Sequence, residues 1–373
     1  MAYMKKNKAI AIFIALAFIA LYATSNLGVP MKHIEEARAR MAPAWWPERV
    51  RYGDLYSFSN LAEFKSEVGL DRNALHPNPL STLPRDIDLY AVCDSYLTEN
   101  FVKSNLFFSR VDRYLQVNLY LDKPVETTLD PHKTNVLLIE KTEREVKEML
   151  TTNKLDMLLE KIRVAKADGD SLAPQPVGAG GQAASKWKKL EEALFNPHCN
   201  DNLQELLFDY QLLTPLREGK ARLNRSLFGR ISPDVVISPD SSHLLYELTV
   251  NPRAAGFSSF APLEKATIDT LVDRLNKVYS SYLARGFDYV FLSIIPNSAT
   301  ILEKNNPRYN HLIPLLYAHP ALKIPVVNVY KRFMDTPLDI IAKGDTHWNS
   351  AGFYLWLSEF NAVLEALPVR RPN

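Results

Sequence analysis

The segment DLYAVCDSY, residues 88–96, combines an apolar strand with a turn that carries a hydroxyl group. Its apolar part, residues 89–92, has no charged interruption, which predicts a strand covered on both faces of a sheet. Asp94 and Ser95 then form a turn that is predicted to open a helix over residues 97–114. We therefore expect Ser95 at the carboxyl end of a strand, where open α/β sheets place their sites.

Strand and helix patterns alternate outward from this segment. Helices are predicted at residues 142–159, 266–285 and 309–319, and strands at residues 135–140, 235–238, 244–246, 289–295 and 324–330. Such alternation is typical of parallel βαβ units. The sequence therefore predicts an α/β fold with a mostly parallel sheet.

Composition divides the chain into successive segments. We interpret residues 1–30 as a signal anchor or signal peptide, and residues 31–84 as a juxtamembrane stalk with an irregular approach to the first strand. The main domain is expected in two parts, residues 85–163 and 231–373. A Gly-, Ala- and Pro-rich tether followed by a helical tract, together residues 164–230, is expected to form an insertion between them.

The first thirty residues have the pattern of a targeting element. Lys5, Lys6 and Lys8 precede an apolar run over residues 9–23, as a basic region precedes the apolar core of a signal sequence. Residues 23–25 fit a cleavage site, while an uncleaved segment that continues to Val29 has nearly the length needed to span a bilayer. We favour the uncleaved anchor over the cleaved signal peptide. For both, the positive-inside rule places most of the chain outside the cytoplasm.

The charge of the chain excludes one class of partner. The net formal charge is only +2, and charges of both signs are spread along the sequence, so nothing indicates nucleic-acid binding.

Within the insertion, residues 187–230 are predicted to be helical and amphipathic. The apolar positions of this tract are Leu203, Leu206, Leu207, Leu212, Leu213 and Leu216. Such a set is typical of a core, or of a lid packed on a core, so we assign it no chemistry.

The second chemically informative segment is DTHW, residues 345–348, which precedes a predicted helix start at residues 349–352. The imidazole of His347 can accept a proton near neutral pH if an acceptor holds its other ring nitrogen, and Asp345 is the candidate. Ser95, Asn297 and this segment all follow strands, so we expect them at one edge of the sheet. Each residue also has an ordinary alternative, because Ser95 and Asp345 can be helix caps and His347 a structural histidine.

These residues carry a resemblance to a known superfamily. CDSY at residues 93–96 resembles the G-D-S-x block of SGNH hydrolases, and DTHW is similar to the D-x-H-W block of their alginate O-acetyltransferase branch. Weaker matches lie at residues 136–140, 292–296 and 325–327, so that the resemblance covers about residues 88–160 and 235–364. It implies a three-layer α/β/α sandwich.

The resemblance implies Ser95 as nucleophile, His347 as general base and Asp345 as the group that orients the base. Two features depart from the alginate branch: the serine block comes first here, as in ordinary SGNH hydrolases, and Cys93 replaces the usual glycine. The oxyanion glycine and asparagine of the superfamily have no clear match. The backbone N–H of Ser95 is therefore the expected donor, with Asn297 as a side-chain candidate.

The candidates for lining a sugar-binding cleft are Tyr96, Arg144 and Trp348. The resulting hypothesis is transfer of an acyl group, most simply acetyl, to a cell-envelope polysaccharide, beside a membrane-bound O-acyltransferase partner. The alternatives are a secreted carbohydrate esterase and a non-catalytic polysaccharide-binding or assembly scaffold. No cofactor is expected, and no metal site either, because the histidines are scattered.

Overall fold

The computed structural model describes residues 2–26, 48–67, 84–98, 104–120, 123–149, 152–165, 202–203 and 211–369. The Gly-rich tether, most of the predicted stalk, and Leu206 and Leu207 lie outside these residues, as does Cys199.

The centre of the fold is a parallel sheet. Its strands are β1 (Ile87–Cys93), β2 (Val111–Asn118), β4 (Thr134–Thr142) and β8 (Tyr289–Ile295), in the spatial order β2-β1-β4-β8. Each neighbouring pair runs parallel. Every residue of β1 and β4 is buried, as the uninterrupted apolar runs predict. The predicted α/β class with a mostly parallel sheet is therefore confirmed.

Short strands flank the sheet. β3 (Val125–Thr127) pairs in parallel with β5 (Ile162–Val164), and β6 (Val235–Ile237) pairs antiparallel with β7 (Leu244–Tyr246). The hairpin of β6 and β7 matches the two short strands predicted around residues 235–246.

Helices precede, follow and connect these strands. In chain order, the described α-helices are α1 (Ala2–Asn26), α2 (Glu48–Tyr52), α3 (Asp54–Ser59), α4 (Ser95–Thr98), α5 (Glu143–Met149), α6 (Thr152–Glu160), α7 (Thr214–Phe228), α8 (Glu247–Val250), α9 (Lys265–Ala284), α10 (Ser298–Leu302), α11 (Leu312–Tyr317), α12 (Tyr330–Asp335) and α13 (Ser350–Ala366).

Alternate side chains of the strands build two apolar clusters, because successive residues of a strand point to opposite faces. Val92 and Ile139 belong to a cluster that includes Leu275 of α9. Ala91 and Leu138 belong to the other, which includes Trp356 of α13. Helices therefore cover both faces of the sheet.

Two predicted elements are wrong. The helix expected over residues 97–114 ends within the described residues at Thr98, and Val111–Asn118 forms β2 instead, because pairing along β1 outweighs a weak helical pattern. The strand expected at residues 324–330 is reduced to one bridge between Val326 and Leu292. Pro325 has no N–H to donate to a ladder, and Tyr330 already begins α12.

The chain divides into two compact units. The described helices α1, α2 and α7 belong to one, and the parallel sheet with the helices on its faces belongs to the other. None of the helices over the described residues combines the length and the apolar character that are needed to span a bilayer.

Candidate active site

Ser95 lies where the sequence predicts, directly beyond the carboxyl end of β1. The strand ends at Cys93, and Ser95 is the first residue of α4. Its side chain is partly exposed, whereas Asp94 and Tyr96 on either side are buried. The turn thus presents one hydroxyl at the surface and fixes its neighbours in the interior.

The structure brings Ser95, His347 and Asp345 into one hydrogen-bonded line. Ser95 Oγ lies 2.8 Å from His347 Nε2, and His347 Nδ1 lies 2.6 Å from Asp345 Oδ1. An ionised carboxylate only accepts hydrogen bonds, so Nδ1 carries the imidazole proton and Nε2 is left to accept the Ser95 hydroxyl proton. This is the arrangement in which an imidazole can act as a base toward a serine.

The surroundings of Asp345 keep its carboxylate charged. Burial alone raises the pKa of Asp345, but the charge of His347 and hydrogen bonds from His347 and Asp54 outweigh it, so that the pKa is lowered. The backbone N–H of His347 donates to Oδ1 at 2.9 Å, and that of Asp54 faces Oδ2 at 3.4 Å. Asp345 therefore remains ionised at neutral pH.

The residue before Asp54 is Gly53, and its lack of a side chain lets the backbone pass close to Asp345. Its backbone has a φ of 93°, and a Cβ there would stand 2.6 Å from the Asp345 carboxylate and 2.5 Å from the carbonyl oxygen of Gly344. The adjoining helix α3 is anchored at the same point, because the N–H of Tyr56 donates to Gly344 at 2.8 Å. Gly53 lies in residues 31–84, which were predicted to be an irregular approach. Its role, to leave space for the Asp345 carboxylate, is visible only in the structure.

Asp94 holds the turn that carries Ser95. One carboxylate oxygen accepts the N–H of Tyr96 at 3.0 Å, and the other accepts the N–H of Thr142, at the end of β4, at 2.9 Å. Asp94 thereby joins the ends of two neighbouring strands beside Ser95. Its own N–H donates to Glu140 Oε2 at 3.2 Å.

Glu140 and Lys141 are fully buried at the end of β4. Burial is the main reason that the pKa of Glu140 is raised well above its ordinary value, and the charge of Asp94 adds to it. Lys141 Nζ lies 2.9 Å from Glu145 and 3.7 Å from Asp94, which balances part of the buried negative charge. The sequence indicated Glu140 only as the carboxylate at the end of the buried strand that was predicted at residues 135–140.

Tyr96 and Trp348 lie beneath the site, and only 1% and 5% of their surfaces are exposed. The Tyr96 hydroxyl donates to the carbonyl oxygen of Thr346, and its ring centre is 4.5 Å from that of His347. Trp348 packs edge-on against Tyr96 at 5.1 Å. In this position both residues support the Asp345 loop, and neither presents a face to a sugar.

Arg144 is the sugar-cleft candidate that remains partly exposed. Its guanidinium carbon lies 5.9 Å from the centre of the Tyr96 ring. Tyr96 is the residue whose ring packs against His347. Among the described residues it forms no ion pair with a carboxylate. A cation is thus held over the Tyr96 ring, which itself packs against the imidazole of His347.

Asn297 has a different set of partners from those expected of an oxyanion donor. Its amide donates to Ser259 Oγ at 2.9 Å, and its Oδ1 accepts the N–H of Arg144 at 3.2 Å. The residue is 1% exposed. In this conformation Asn297 connects the loop after β8 to the start of α5.

Glu143, which the sequence analysis did not single out, is the centre of this connection. It accepts hydrogen bonds from the Asn297 N–H at 2.9 Å, from Thr300 at 2.6 Å and from Tyr309 at 3.0 Å. Burial raises the pKa of Glu143 and these donors oppose the rise. The cluster fixes α5, and with it Arg144, at the carboxyl edge of the sheet.

Comparisons of the chain with protein-family models, with curated proteins and with solved structures found no match. The chemistry of the site must therefore be argued from its own geometry.

Proposed function

We propose that this protein is an extracytoplasmic acyltransferase of SGNH type that O-acetylates a cell-envelope or exported polysaccharide through an acyl-serine intermediate. The supporting observation is the continuous line from Ser95 Oγ through His347 to Asp345, with separations of 2.8 and 2.6 Å. Independent helix capping does not require these groups to meet. In the structure Asn349 caps α13, which leaves Asp345 for the imidazole.

In the first step Ser95 attacks the carbonyl carbon of an acyl donor while its hydroxyl proton moves to His347 Nε2. Asp345 stabilises the imidazolium that forms. When the tetrahedral intermediate collapses, the bond to the leaving group breaks and His347 returns the proton to that group. The product is an ester on Ser95 Oγ.

In the second step a sugar hydroxyl attacks this ester. His347 accepts the hydroxyl proton, the acyl group moves to the sugar oxygen, and Ser95 Oγ recovers a proton from His347. Water in place of the sugar would give hydrolysis with the same balance of bonds and protons. Transfer is preferred because DTHW, residues 345–348, resembles the acetyltransferase branch.

Negative charge on the tetrahedral intermediate needs hydrogen-bond donors. The backbone N–H of Ser95 is the first candidate, since it has no acceptor among the described residues. Arg144 offers a partly exposed cation 5.9 Å from the ring of Tyr96, the residue that follows Ser95. Asn297 would have to exchange its bond to Ser259 in order to contribute.

The proposed location and partners rest on sequence. Lys5, Lys6 and Lys8 precede the apolar residues 9–23, which supports export and attachment to a membrane, or secretion if this segment is cleaved. A membrane-bound O-acyltransferase would supply the acyl group to Ser95. The helices on both faces of the sheet support the three-layer SGNH arrangement.

The test uses the purified full chain with a chromogenic acetyl ester, with and without candidate polysaccharides. We expect Ser95→Ala to abolish ester cleavage, and mass spectrometry to find an acetyl group on Ser95 of the unmodified protein. Ser280→Ala, at an exposed position of α9, is the matched control and should retain activity.

The same experiment separates the alternatives. Acetylated polysaccharide indicates a transferase, and rapid release of acetate with no acetylated sugar indicates an esterase. If Ser95→Ala leaves polysaccharide acetylation in cells unchanged, the scaffold hypothesis replaces the enzymatic one.

A further inference from the structure

Helix α7 exposes a leucine stripe, although the sequence analysis expected leucines of this tract in a core or under a lid. Leu216, Leu223 and Leu227 are 71%, 54% and 65% exposed. Their spacings of seven and four residues place them on one side of the helix. We call these three side chains the leucine stripe. Leu212, just before the helix, is 86% exposed, so the expectation of a buried set is wrong for the described leucines at positions 212 and 216.

Basic side chains accompany the stripe. Between residues 211 and 230 the basic residues are Arg217, Lys220, Arg222, Arg225 and Arg230, and Glu218 is the one acidic residue. This excess is local, because the whole chain has a net charge of only +2. Lys220 and Arg222 are exposed.

The beginning and end of α7 are fixed. Glu48 accepts hydrogen bonds from Thr214 and Arg217, so the first turn is held by a buried carboxylate of the same unit. The helix ends at Phe228, and the N–H of the capping residue Gly229 donates to the carbonyl oxygen of Arg225 at 3.0 Å. Phe228 is 62% exposed, and the guanidinium of Arg230 lies 6.0 Å from its ring centre.

We propose that α7 binds in the plane of an anionic lipid bilayer, with the leucine stripe in the boundary between headgroups and acyl chains. A helix with leucines on one side and lysine or arginine beside them is suited to this position, since burial of the leucines and attraction to anionic headgroups act together. Its 15 residues are too short to span a membrane, so it lies along the surface. A protein partner for an exposed leucine stripe would not by itself account for the excess of basic residues.

This inference goes beyond the proposed chemistry and is independent of it. Contact through α7 would hold the chain at a membrane surface whether or not the N-terminal segment is retained, because the two segments are separate helices. Loss of the contact would leave ester cleavage unchanged, and loss of Ser95 would leave the contact unchanged.

The test is co-flotation of the full chain with vesicles of phosphatidylcholine alone or of phosphatidylcholine with phosphatidylglycerol. Two double variants are compared with the unmodified protein, Leu223→Gln with Leu227→Gln and Lys220→Glu with Arg222→Glu. We expect each to lower the partition coefficient onto anionic vesicles by at least about tenfold, and added salt to weaken binding of the unmodified protein. Because α1 is present in every sample, the quantity compared is the gain in partition from neutral to anionic vesicles, and the difference in that gain between variants reports α7.

Matched controls carry the same chemical changes on other exposed residues. Leu315→Gln with Leu338→Gln changes leucines that are 49% and 57% exposed, and Lys304→Glu with Arg308→Glu reverses exposed charges. Both controls should bind vesicles like the unmodified protein. Circular dichroism and ester cleavage verify that every variant is folded.

Equal partition of the α7 variants and the unmodified protein onto anionic vesicles would overturn the proposal. If the variants then also differ from the unmodified protein in oligomeric state by light scattering, the stripe is a contact between copies of the chain.

Discussion

At the scale of single residues, two buried carboxyl groups of the site have pKa values that are shifted in opposite directions. Asp345 is kept ionised by the charge and hydrogen bonds of His347 in spite of its burial. For Glu140, burial and the charge of Asp94 outweigh the opposing effects of Lys141 and the Asp94 N–H, so that its pKa is raised well above the ordinary value. Asp345 is therefore the acceptor that holds the His347 imidazole, whereas Glu140 Oε2 accepts the Asp94 N–H at 3.2 Å beside Ser95.

The raised pKa of Glu140 predicts a pH-dependent cost in stability. Above its ordinary value of 4.5 the carboxyl group stays protonated in the folded chain and ionises on unfolding, so unfolding releases a proton and becomes easier as pH rises. This group contributes a loss of about 1.4 kcal/mol per pH unit until its folded pKa is reached. We expect Glu140→Gln to remove that slope, because glutamine is neutral at every pH and keeps an oxygen for the Asp94 N–H.

The measurement is the free energy of unfolding by urea from pH 5 upward, for the unmodified protein and Glu140→Gln. Glu264→Gln, at an exposed position before α9, should leave the slope unchanged. Parallel curves for the unmodified protein and Glu140→Gln would show that Glu140 is ionised in the folded chain.

At the scale of elements, the Asp345 loop is fixed by contacts at both of its ends. Asn349 caps α13 by accepting the N–H groups of Ala351 and Gly352 at 2.9 and 3.2 Å. At the other end, α3 and Gly53 pack against Gly344 and Asp345. The position of the Asp345 carboxylate is therefore set by a segment about three hundred positions earlier in the chain.

Gly53→Ala is predicted to displace Asp345. The new Cβ has no space beside the Asp345 carboxylate, and a φ of 93° is unfavourable for alanine. We expect a loss of roughly 1–3 kcal/mol in the free energy of unfolding and a fall in kcat larger than any rise in KM. Ester kinetics and urea unfolding of the same preparation measure both effects.

Gly256→Ala is the control for this substitution, since nothing lies within 4 Å of a Cβ there and its φ is not positive. Its kcat should match that of the unmodified protein. Unaltered kcat in folded Gly53→Ala would mean that Asp345 tolerates displacement and does not orient His347.

At the scale of the whole molecule, stability comes from the two apolar clusters on the faces of the parallel sheet. Trp356 is the largest fully buried side chain of α13, and its Nε1 donates to Ser293 of β8 at 3.0 Å. The edge of the sheet opposite the site is held by Arg110, whose guanidinium pairs with Asp86 at 2.7 Å and donates to the carbonyl of Leu364 at 3.1 Å. α13 is therefore fastened to the sheet along its length.

Trp356→Ala is predicted to lower the free energy of unfolding by roughly 3–5 kcal/mol, because it leaves a cavity against the sheet and removes the donor to Ser293. Leu338→Ala, at a position that is 57% exposed, should change it by less than about 0.5 kcal/mol. Urea unfolding followed by circular dichroism compares the two. Equal midpoints would contradict the assignment of Trp356 to the core.

The sequence contained enough local information to predict the α/β class, β1, β4 and β8, the hairpin of β6 and β7, and α9. Those elements are specified by apolar runs or by helical periodicity that a short window contains. It also indicated Ser95, Asp345 and His347, because a hydroxyl after a strand and an acid beside an imidazole are visible as residue types. That residues 111–118 form the edge strand β2 was not predictable in this way, since the register of β2 is set by its pairing with β1.

The amino-acid sequence by itself determined which groups the chain offers for chemistry and which segments must be buried. Only the tertiary structure decided that Ser95 and His347 meet, that Gly53 gives Asp345 its place, and that Glu140 accepts the Asp94 N–H beside Ser95 from a neighbouring strand. It also decided that the leucines of α7 are exposed. The physical reason is that apolar periodicity acts over a few residues, whereas hydrogen bonding, desolvation and packing act between groups that are near in space and hundreds of positions apart in the chain.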